Sequence, residues 1–265
     1  MVLSSVILIL VSTTFLVQSQ YYSAQRLNVN MHDNARMTTE RVASEIRPVM
    51  AGGFVVAGPR TLTLRSPILV GVVCRLVTND VYLHVDGGLA GLNTGEVAGV
   101  AVRDTTTGAW TYGTTTWTNV NGGTTGAASN CASQGADTTW ATAEFRRIVN
   151  LQTLFGSAPS AGVVLMFFRE TTFKIQQSVL DSAVLGLFRA SYGQSLVEFA
   201  TGMDATAQFQ YRTGGTTYAD TITSGSLANI DAVRIVADAR VPAQSGGQED
   251  ITFGWSSNVI LRNVP

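Results

Sequence analysis

The sequence has little charge. Only 13% of its 265 residues are charged, Lys174 is its one lysine, and its formal net charge at pH 7 is −1. Binding to the phosphates of a nucleic acid depends on clustered Lys and Arg side chains. The composition gives no electrostatic support for such binding, and we expect no nucleic-acid partner.

The sequence also lacks the short motifs of catalytic and metal chemistry. It contains no nucleophile elbow, Walker loop, H-E-x-x-H or C-x-x-C pattern. Its histidines, His32 and His84, and its cysteines, Cys74 and Cys131, are too far apart for zinc-ligand spacing. We therefore expect no catalytic residue, metal or cofactor, and we predict that the chain is not an enzyme.

The two cysteines allow two interpretations. Cys74 lies in an apolar, strand-like run, and Cys131 lies in a polar, loop-like run. In an oxidising compartment they can pair and close a loop of about 57 residues, worth roughly 4 kcal/mol in the chain-entropy model. The alternative is two unrelated thiols. We favour the disulfide because the N-terminal sequence points to export.

The first fifty residues carry the clearest pattern. An apolar run, residues 1–17, continues without Gly or Pro into a polar stretch that ends at Pro48. Apolar and small side chains in that stretch recur at intervals of three and four, as on one face of a helix; they are Ala24, Leu27, Met31, Ala35, Thr38, Val42 and Ile46. The pattern predicts one helix of about 47 residues, or about 70 Å.

A family resemblance rests on three groups of residues. Asn34-Ala35-Arg36, Glu45-Ile46-Arg47 and Met50-Ala51-Gly52 resemble the end of the N-terminal helix in type IV pilin-like proteins. Two further segments are similar to later motifs of that family, namely Leu187-Phe188-Arg189 with Leu196-Val197-Glu198 and Phe209-Gln210-Tyr211, and Val259-Ile260-Leu261-Arg262-Asn263. The chain most resembles PilW-type minor pilins and J-type pseudopilins of type II secretion.

The chain departs from that family at its start. Members carry a prepilin peptidase site, a Gly followed by Phe-Thr-Leu-(Ile/Val)-Glu, before the apolar run, and this sequence has none. We expect that the start has been assigned too late and that the processing site lies upstream.

The remainder reads as β-structure. Runs rich in Val, Ile, Thr and Phe recur from Phe54 to Arg262 and are separated by Gly-rich turns. We predict a helix over 141–151 and a Thr/Gly-rich insertion near 104–139. The predicted fold is α+β, in which a long N-terminal helix packs on an antiparallel β-rich globular head. One half of the predicted helix is a membrane or filament segment, and the other half is amphipathic. The predicted domains are residues 1–50 and 51–265.

The resemblance implies a minor pilin or pseudopilin, a structural subunit at the priming tip of a type IV pilus or type II secretion pseudopilus. Its partners would be other pilins or pseudopilins and, before assembly, the bacterial inner membrane, with the head in the periplasm. Subunit registry is assigned to Arg36, Glu40 and Arg47. Membrane or filament packing is assigned to Val6, Ile7, Leu8, Ile9, Leu10, Val11, Phe15 and Leu16.

A second hypothesis belongs to another class. The Thr-rich stretch contains Trp110, Tyr112 and Trp117, and exposed aromatic rings form binding surfaces in many proteins. The chain would then be an anchored or secreted β-domain that binds a ligand or a surface.

Overall fold

The computed structural model describes residues 2–77, 80–85, 94–114, 127, 131, 145–148, 155, 159–241 and 251–261. The protein is mostly β, with 47% strand and 23% helix and a curled antiparallel sheet. The predicted α+β class, in which a long helix is a main layer of the fold, is therefore wrong. The physical reason is that strands supply most of the buried side chains, whereas the helix contributes only its last turns to the core.

Helix α1 spans Val2–Ile46 and ends where the sequence stops favouring a helix. Pro48 follows it, and Gly52 adopts a φ of 76°, a left-handed conformation that glycine tolerates best. The Val49 amide donates to the Ile46 carbonyl at 3.0 Å, which closes the last turn. The described side chains between Leu10 and Ser23 are exposed.

Across the described residues, no helix combines the length and apolar content needed to cross a membrane. The predicted single-pass transmembrane helix and the predicted inner-membrane location are therefore wrong. Five Ser and Thr side chains interrupt the apolar run of residues 1–17, and Gln18-Ser19-Gln20 follows it. A membrane span needs about 20 predominantly apolar residues, and this segment falls short.

The head begins after the helix and contains fourteen strands among the described residues. The strands are β1 Phe54–Ala57, β2 Thr61–Val77, β3 Asp80–Val85, β4 Gly99–Arg103, β5 Trp110–Thr114, β6 Phe145–Ile148, β7 Val164–Gln177, β8 Leu185–Ser191, β9 Val197–Met203, β10 Gln208–Arg212, β11 Ala232–Val236, β12 Ala239–Val241, β13 Ile251–Phe253 and β14 Ser256–Ile260. Short 3-10 helices occupy Thr94–Glu96 and Ser224–Asn229.

The large sheet is built on one long antiparallel pair, β2 and β7. Their register runs from Thr61 opposite Lys174 to Val72 opposite Val164, with an irregularity after Pro67. The outer edge of each long strand is shared: β1 and β3 pair with different parts of β2, while β8 and β4 pair with different parts of β7. The sheet therefore has two lobes joined by the long pair.

Each lobe has its own apolar core. The helix-side core joins Val42 and Ile46 of α1 to Leu62, Phe173 and other side chains of both sheets. The distal core forms between β3, β4 and the first half of β7. Arg169 and Thr171 separate the two cores along β7, so a polar band lies between them.

A second, three-stranded sheet has the order β10-β11-β14. Its inward residues, Phe209, Tyr211, Val233, Ile235 and Val259, alternate along their strands and close the helix-side core. This alternation is the half-buried pattern that the sequence shows.

The predicted helix over 141–151 is wrong where the structure describes it, because Phe145–Ile148 is strand β6. It pairs with β3, and the Arg147 Nε atom donates to Asp80 Oδ2 at 2.9 Å. Pairing with a distant strand thus overrode the local pattern. Most of the predicted insertion lies outside the described residues. The domain division at residues 1–50 and 51–265 stays a prediction.

Candidate interaction surface on the N-terminal helix

One face of α1 packs on the head. Thr38, Val42 and Ile46, all predicted for that face, are at most 6% exposed, and Ala35 is half-buried. The side chains of Ala24, Leu27 and Met31 lie outside the described part of the structure. The three- and four-residue spacing therefore identified the buried face over the last turns of the helix.

A buried carboxylate fixes the end of the helix to β8. Glu45 is 6% exposed, and its two oxygens accept from Nε and Nη2 of Arg189 at 2.9 and 3.2 Å. Arg41 lies 3.6 Å from the same carboxylate. The Ser66 hydroxyl donates to the Glu45 carbonyl at 3.2 Å. Such two-pronged pairing sets orientation as well as position.

Trp255, between β13 and β14, makes a second attachment. Its Nε1 donates to the Thr39 hydroxyl at 3.1 Å, and that hydroxyl donates in turn to the Ala35 carbonyl at 2.9 Å. The ring of His32 meets the Trp255 ring edge-on at 6.2 Å. Strand β8 and the β13–β14 turn therefore each hold the C-terminal part of α1, which fixes the helix direction.

The described residues assigned to membrane or filament packing are exposed, unlike the buried face of the last turns of α1. Leu10, Val11, Phe15 and Leu16 are 60–71% exposed. The side chains of Val6, Ile7, Leu8 and Ile9 lie outside the described ones. At about 100° per residue, Leu10, Val11, Phe15 and Leu16 point about 220°, 320°, 0° and 100° around the helix axis. The exposed apolar surface thus encircles the helix and is not a single stripe.

The residues assigned to registry do not form one site. Arg36 and Glu40 pair with each other at 2.9 Å, and both are more than 60% exposed. The hydrogen bond that Arg36 donates to Glu40 raises the pKa of Arg36. Arg47, at the end of the helix, is exposed. An exposed pair of this kind adds little to stability. Because Arg36, Glu40 and Arg47 are exposed, their charges are accessible to a partner.

A cleft beside the helix was not found from the sequence. Met37 on α1, Leu180 before β8, and Glu198, Phe199 and Thr201 on β9 line a space of about 370 Å³. Strand β9 itself was not among the strands predicted from the sequence. The sequence also did not show which side of this segment the head leaves uncovered.

The predicted disulfide joins Cys74 and Cys131, and that prediction is confirmed. Their Cα atoms are 5.1 Å apart, within the usual range for a disulfide. Cys131 is buried with Ala127 and Tyr82. The bond therefore attaches part of the Thr/Gly-rich insertion to β2.

Among the described residues, no group of three or more His, Cys, Asp or Glu side chains is placed to hold a metal ion. The absence of a cofactor, the absence of catalysis and the absence of nucleic-acid binding stay predictions. Comparison with known proteins gives no match: no family model fits the chain, and no curated protein or solved structure is similar to it.

Proposed function

We propose that this chain is a structural subunit of the minor pilin or pseudopilin kind, which assembles with other subunits through its N-terminal helix. The observation that carries the proposal is the ring of exposed apolar side chains on α1, formed by Leu10, Val11, Phe15 and Leu16. The resemblance of the helix end and of the C-terminal segment to that family agrees with this role.

The physical argument begins with exposed area. Burying one large aliphatic or aromatic side chain is worth about 1.5–3 kcal/mol, so four of them supply a substantial drive for association. Several large apolar side chains exposed close together are typical of an interaction surface. No residue before Arg26 is charged, so like helices can approach this segment without burying an ion.

The head attachment gives this helix a fixed direction. The Glu45–Arg189 pair and the Trp255–Thr39 hydrogen bond hold the last turns on the head. When such helices gather in a bundle, each head is carried outward in a defined orientation. The head surface would then decide which subunit follows. The resemblance implies assembly at a priming tip.

The second hypothesis, ligand binding by the Trp- and Thr-rich loops, has less support. Trp110 and Tyr112 both lie in β5, and both pack against a small apolar cluster that contains Phe168. Trp117 lies outside the described residues. The helix surface therefore favours assembly over ligand binding.

The test compares the full chain with a variant carrying Phe15→Asp and Leu16→Asp. We expect the unchanged chain to form oligomers or filaments as its concentration rises, and the variant to stay monomeric, because each Asp would be buried unpaired. Sedimentation velocity and negative-stain electron microscopy measure both.

Ile260→Asp, which places the same charge on an exposed aliphatic side chain of β14 and leaves α1 unchanged, is the control, and we expect it to associate as the unchanged chain does. Circular dichroism checks that every variant keeps its strand content. A wild-type chain that stays monomeric at every accessible concentration contradicts the proposed function.

A further inference from the structure

The side of α1 that faces away from the head carries a line of exposed apolar side chains, hereafter the outer stripe. It consists of Phe15, Tyr22, Val29 and Met37, which are 71%, 69%, 59% and 65% exposed. Phe15, Tyr22 and Val29 follow one another at intervals of seven residues, or about two turns of a helix. With Phe15 taken as 0° and about 100° per residue, all four side chains lie between about 320° and 40° around the helix axis.

The head leaves this side of the helix open. On the same angular scale, the head-packed residues Thr38, Val42 and Ile46 lie at about 140°, 180° and 220°, which is opposite the outer stripe. Another helix can therefore lie along the outer stripe without meeting the head to which α1 belongs. Apolar side chains at intervals of seven are typical of helices that pair with other helices.

Two charged side chains of opposite sign lie within the outer stripe. Arg26 and Asp33 are exposed, and they point about 20° and 0° around the axis. Neither forms an ion pair within the described residues. They are also seven residues apart, or about 10 Å along the axis, which is too far for the pairing at three or four residues that stabilises a single helix.

We infer that the outer stripe binds the outer stripe of a second copy of this chain, with the two helices antiparallel and Arg26 of each copy at the same height as Asp33 of the other. The sequence spacing then sets Tyr22 of each copy at the height of Met37 of the other. Val29 of both copies lies beside the two-fold axis at the centre. The contact therefore joins two ion pairs to a continuous apolar seam.

The charges select this orientation. A parallel pair in register sets Arg26 at the height of Arg26 and Asp33 at the height of Asp33, and a parallel pair shifted by seven residues sets Asp33 at the height of Glu40. Like charges placed together across an interface are costly. In the antiparallel pair, the other charged residues between 15 and 44 meet uncharged ones: Arg36, Glu40 and Arg41 lie at the heights of Ser23, Ser19 and Gln18.

The size of the contact is consistent with a specific dimer. It covers residues 15–44 of both helices, a length of about 45 Å. Four apolar and two charged side chains from each copy, at about 100 Å² each, amount to on the order of 1,200 Å², at the lower end of specific interfaces. Because both copies use the same surface, the contact is isologous and closes at two copies.

The antiparallel pair regulates the assembly surface. It sets Phe15, which belongs to the exposed apolar ring, at the height of Ser44 of the second copy, where the partner helix covers it. It also holds the two heads at opposite ends. The pair must separate before several helices gather around that ring. The inference rests on the proposed function and adds a reserve form of the unassembled chain.

The first experiment reverses the two charges in the full chain. Arg26→Asp sets a carboxylate against Asp33 of the second copy, and Asp33→Arg sets a cation against Arg26. We expect each substitution alone to raise the dimer dissociation constant about tenfold or more, measured by sedimentation equilibrium at low salt. The chain with both substitutions regains opposite charges at the same height, and we expect its dissociation constant to return to within about threefold of the unchanged chain.

Arg103→Asp, which reverses an exposed charge on β4, is the control for net charge, and we expect it to leave the dissociation constant unchanged. Circular dichroism checks that each variant keeps its helix and strand content. A chain with both substitutions that dimerises as weakly as the single variants overturns the inference. A single variant that dimerises like the unchanged chain also overturns it.

A second experiment measures the orientation. The full chain with p-benzoylphenylalanine at position 22 is mixed with ¹⁵N-labelled chain without it, irradiated and analysed by peptide mass spectrometry. The label distinguishes crosslinks between copies from crosslinks within one copy. We expect labelled crosslinks at Met37 and its neighbours. Labelled crosslinks near position 22, as a parallel pair gives, or an absence of labelled crosslinks to α1, overturn the inference.

The two proposals fail in different ways. Charge reversals that leave association unchanged, together with a monomeric Phe15→Asp, Leu16→Asp chain, overturn the antiparallel pair and leave the assembly role standing. A wild-type chain that forms the charge-dependent dimer and no larger species supports the pair and contradicts the assembly role. A wild-type chain that never associates overturns both.

Discussion

At the scale of single residues, Glu40 and Glu45 show how burial determines the contribution of an ion pair to stability. Both occupy α1 and both pair with an arginine four residues away along the helix. Glu40 is 63% exposed, whereas Glu45 is 6% exposed and is also held by Arg189. The sequence shows two equivalent pairs, and only the fold separates them.

Glu45→Ala is expected to lower the free energy of unfolding by about 3 kcal/mol, because it leaves Arg189 half-buried without its partner. Urea denaturation followed by circular dichroism measures the change.

Glu40→Ala is the matched control, since it removes an exposed carboxylate from the same helix. We expect no measurable change, because exposed pairs contribute little. Equal effects of the two substitutions would show that the Arg189 pair does not anchor the helix.

At the scale of elements, the long strands β2 and β7 carry neighbours on different parts of their outer edges. Alternation and β-branched side chains predicted many of these strands, among them β1, β3 and β8. The irregularity after Pro67, which lets β2 serve both lobes, follows from pairing with β7. Strand β6 was missed for the same reason, since its partner β3 is about 60 residues earlier in the chain.

The disulfide is the covalent element of the distal lobe. Replacing Cys74 and Cys131 together by Ser is expected to reduce the free energy of unfolding by about 4 kcal/mol, because the bond closes a loop of 57 residues. Urea denaturation of the double variant and of the oxidised wild type gives the difference. Reduced wild type is the control and should match the double variant. A double variant as stable as the oxidised chain would contradict this account.

At the scale of the whole molecule, two apolar cores share one sheet and a polar band divides them. Tyr211 lies in the helix-side core, and Tyr112 packs on an apolar cluster with Phe168. Burial raises the pKa of both phenols well above the usual value of about 10. The Tyr211 hydroxyl donates to the Gly58 carbonyl at 2.8 Å, which also favours its neutral form.

This burial predicts a loss of stability in alkali. Below pH 10 the phenols are neutral in both states, so their contribution is fully present. Above about pH 10 the unfolded chain releases their protons while the folded chain retains them, so stability falls as pH rises toward the folded pKa. Urea denaturation at about pH 9 and about pH 11 should show the decrease.

Tyr211→Phe removes one of the two ionisations and should make the decrease smaller, even though it also removes the hydrogen bond to Gly58. A wild-type chain equally stable at both pH values would contradict the assigned burial.

The sequence by itself determined the head-facing positions over the last turns of α1, many strands and the pairing of the two cysteines. The helix face and the strands depend on local spacing and on helix and turn propensities. The cysteine pairing has one possible partner for each thiol, because the chain has two cysteines. The tertiary structure decided the mostly β class, the buried state of Glu45, the strand at Phe145–Ile148 and the cleft beside α1. Each of these depends on contacts between residues far apart in the chain, whose free energies local patterns do not contain.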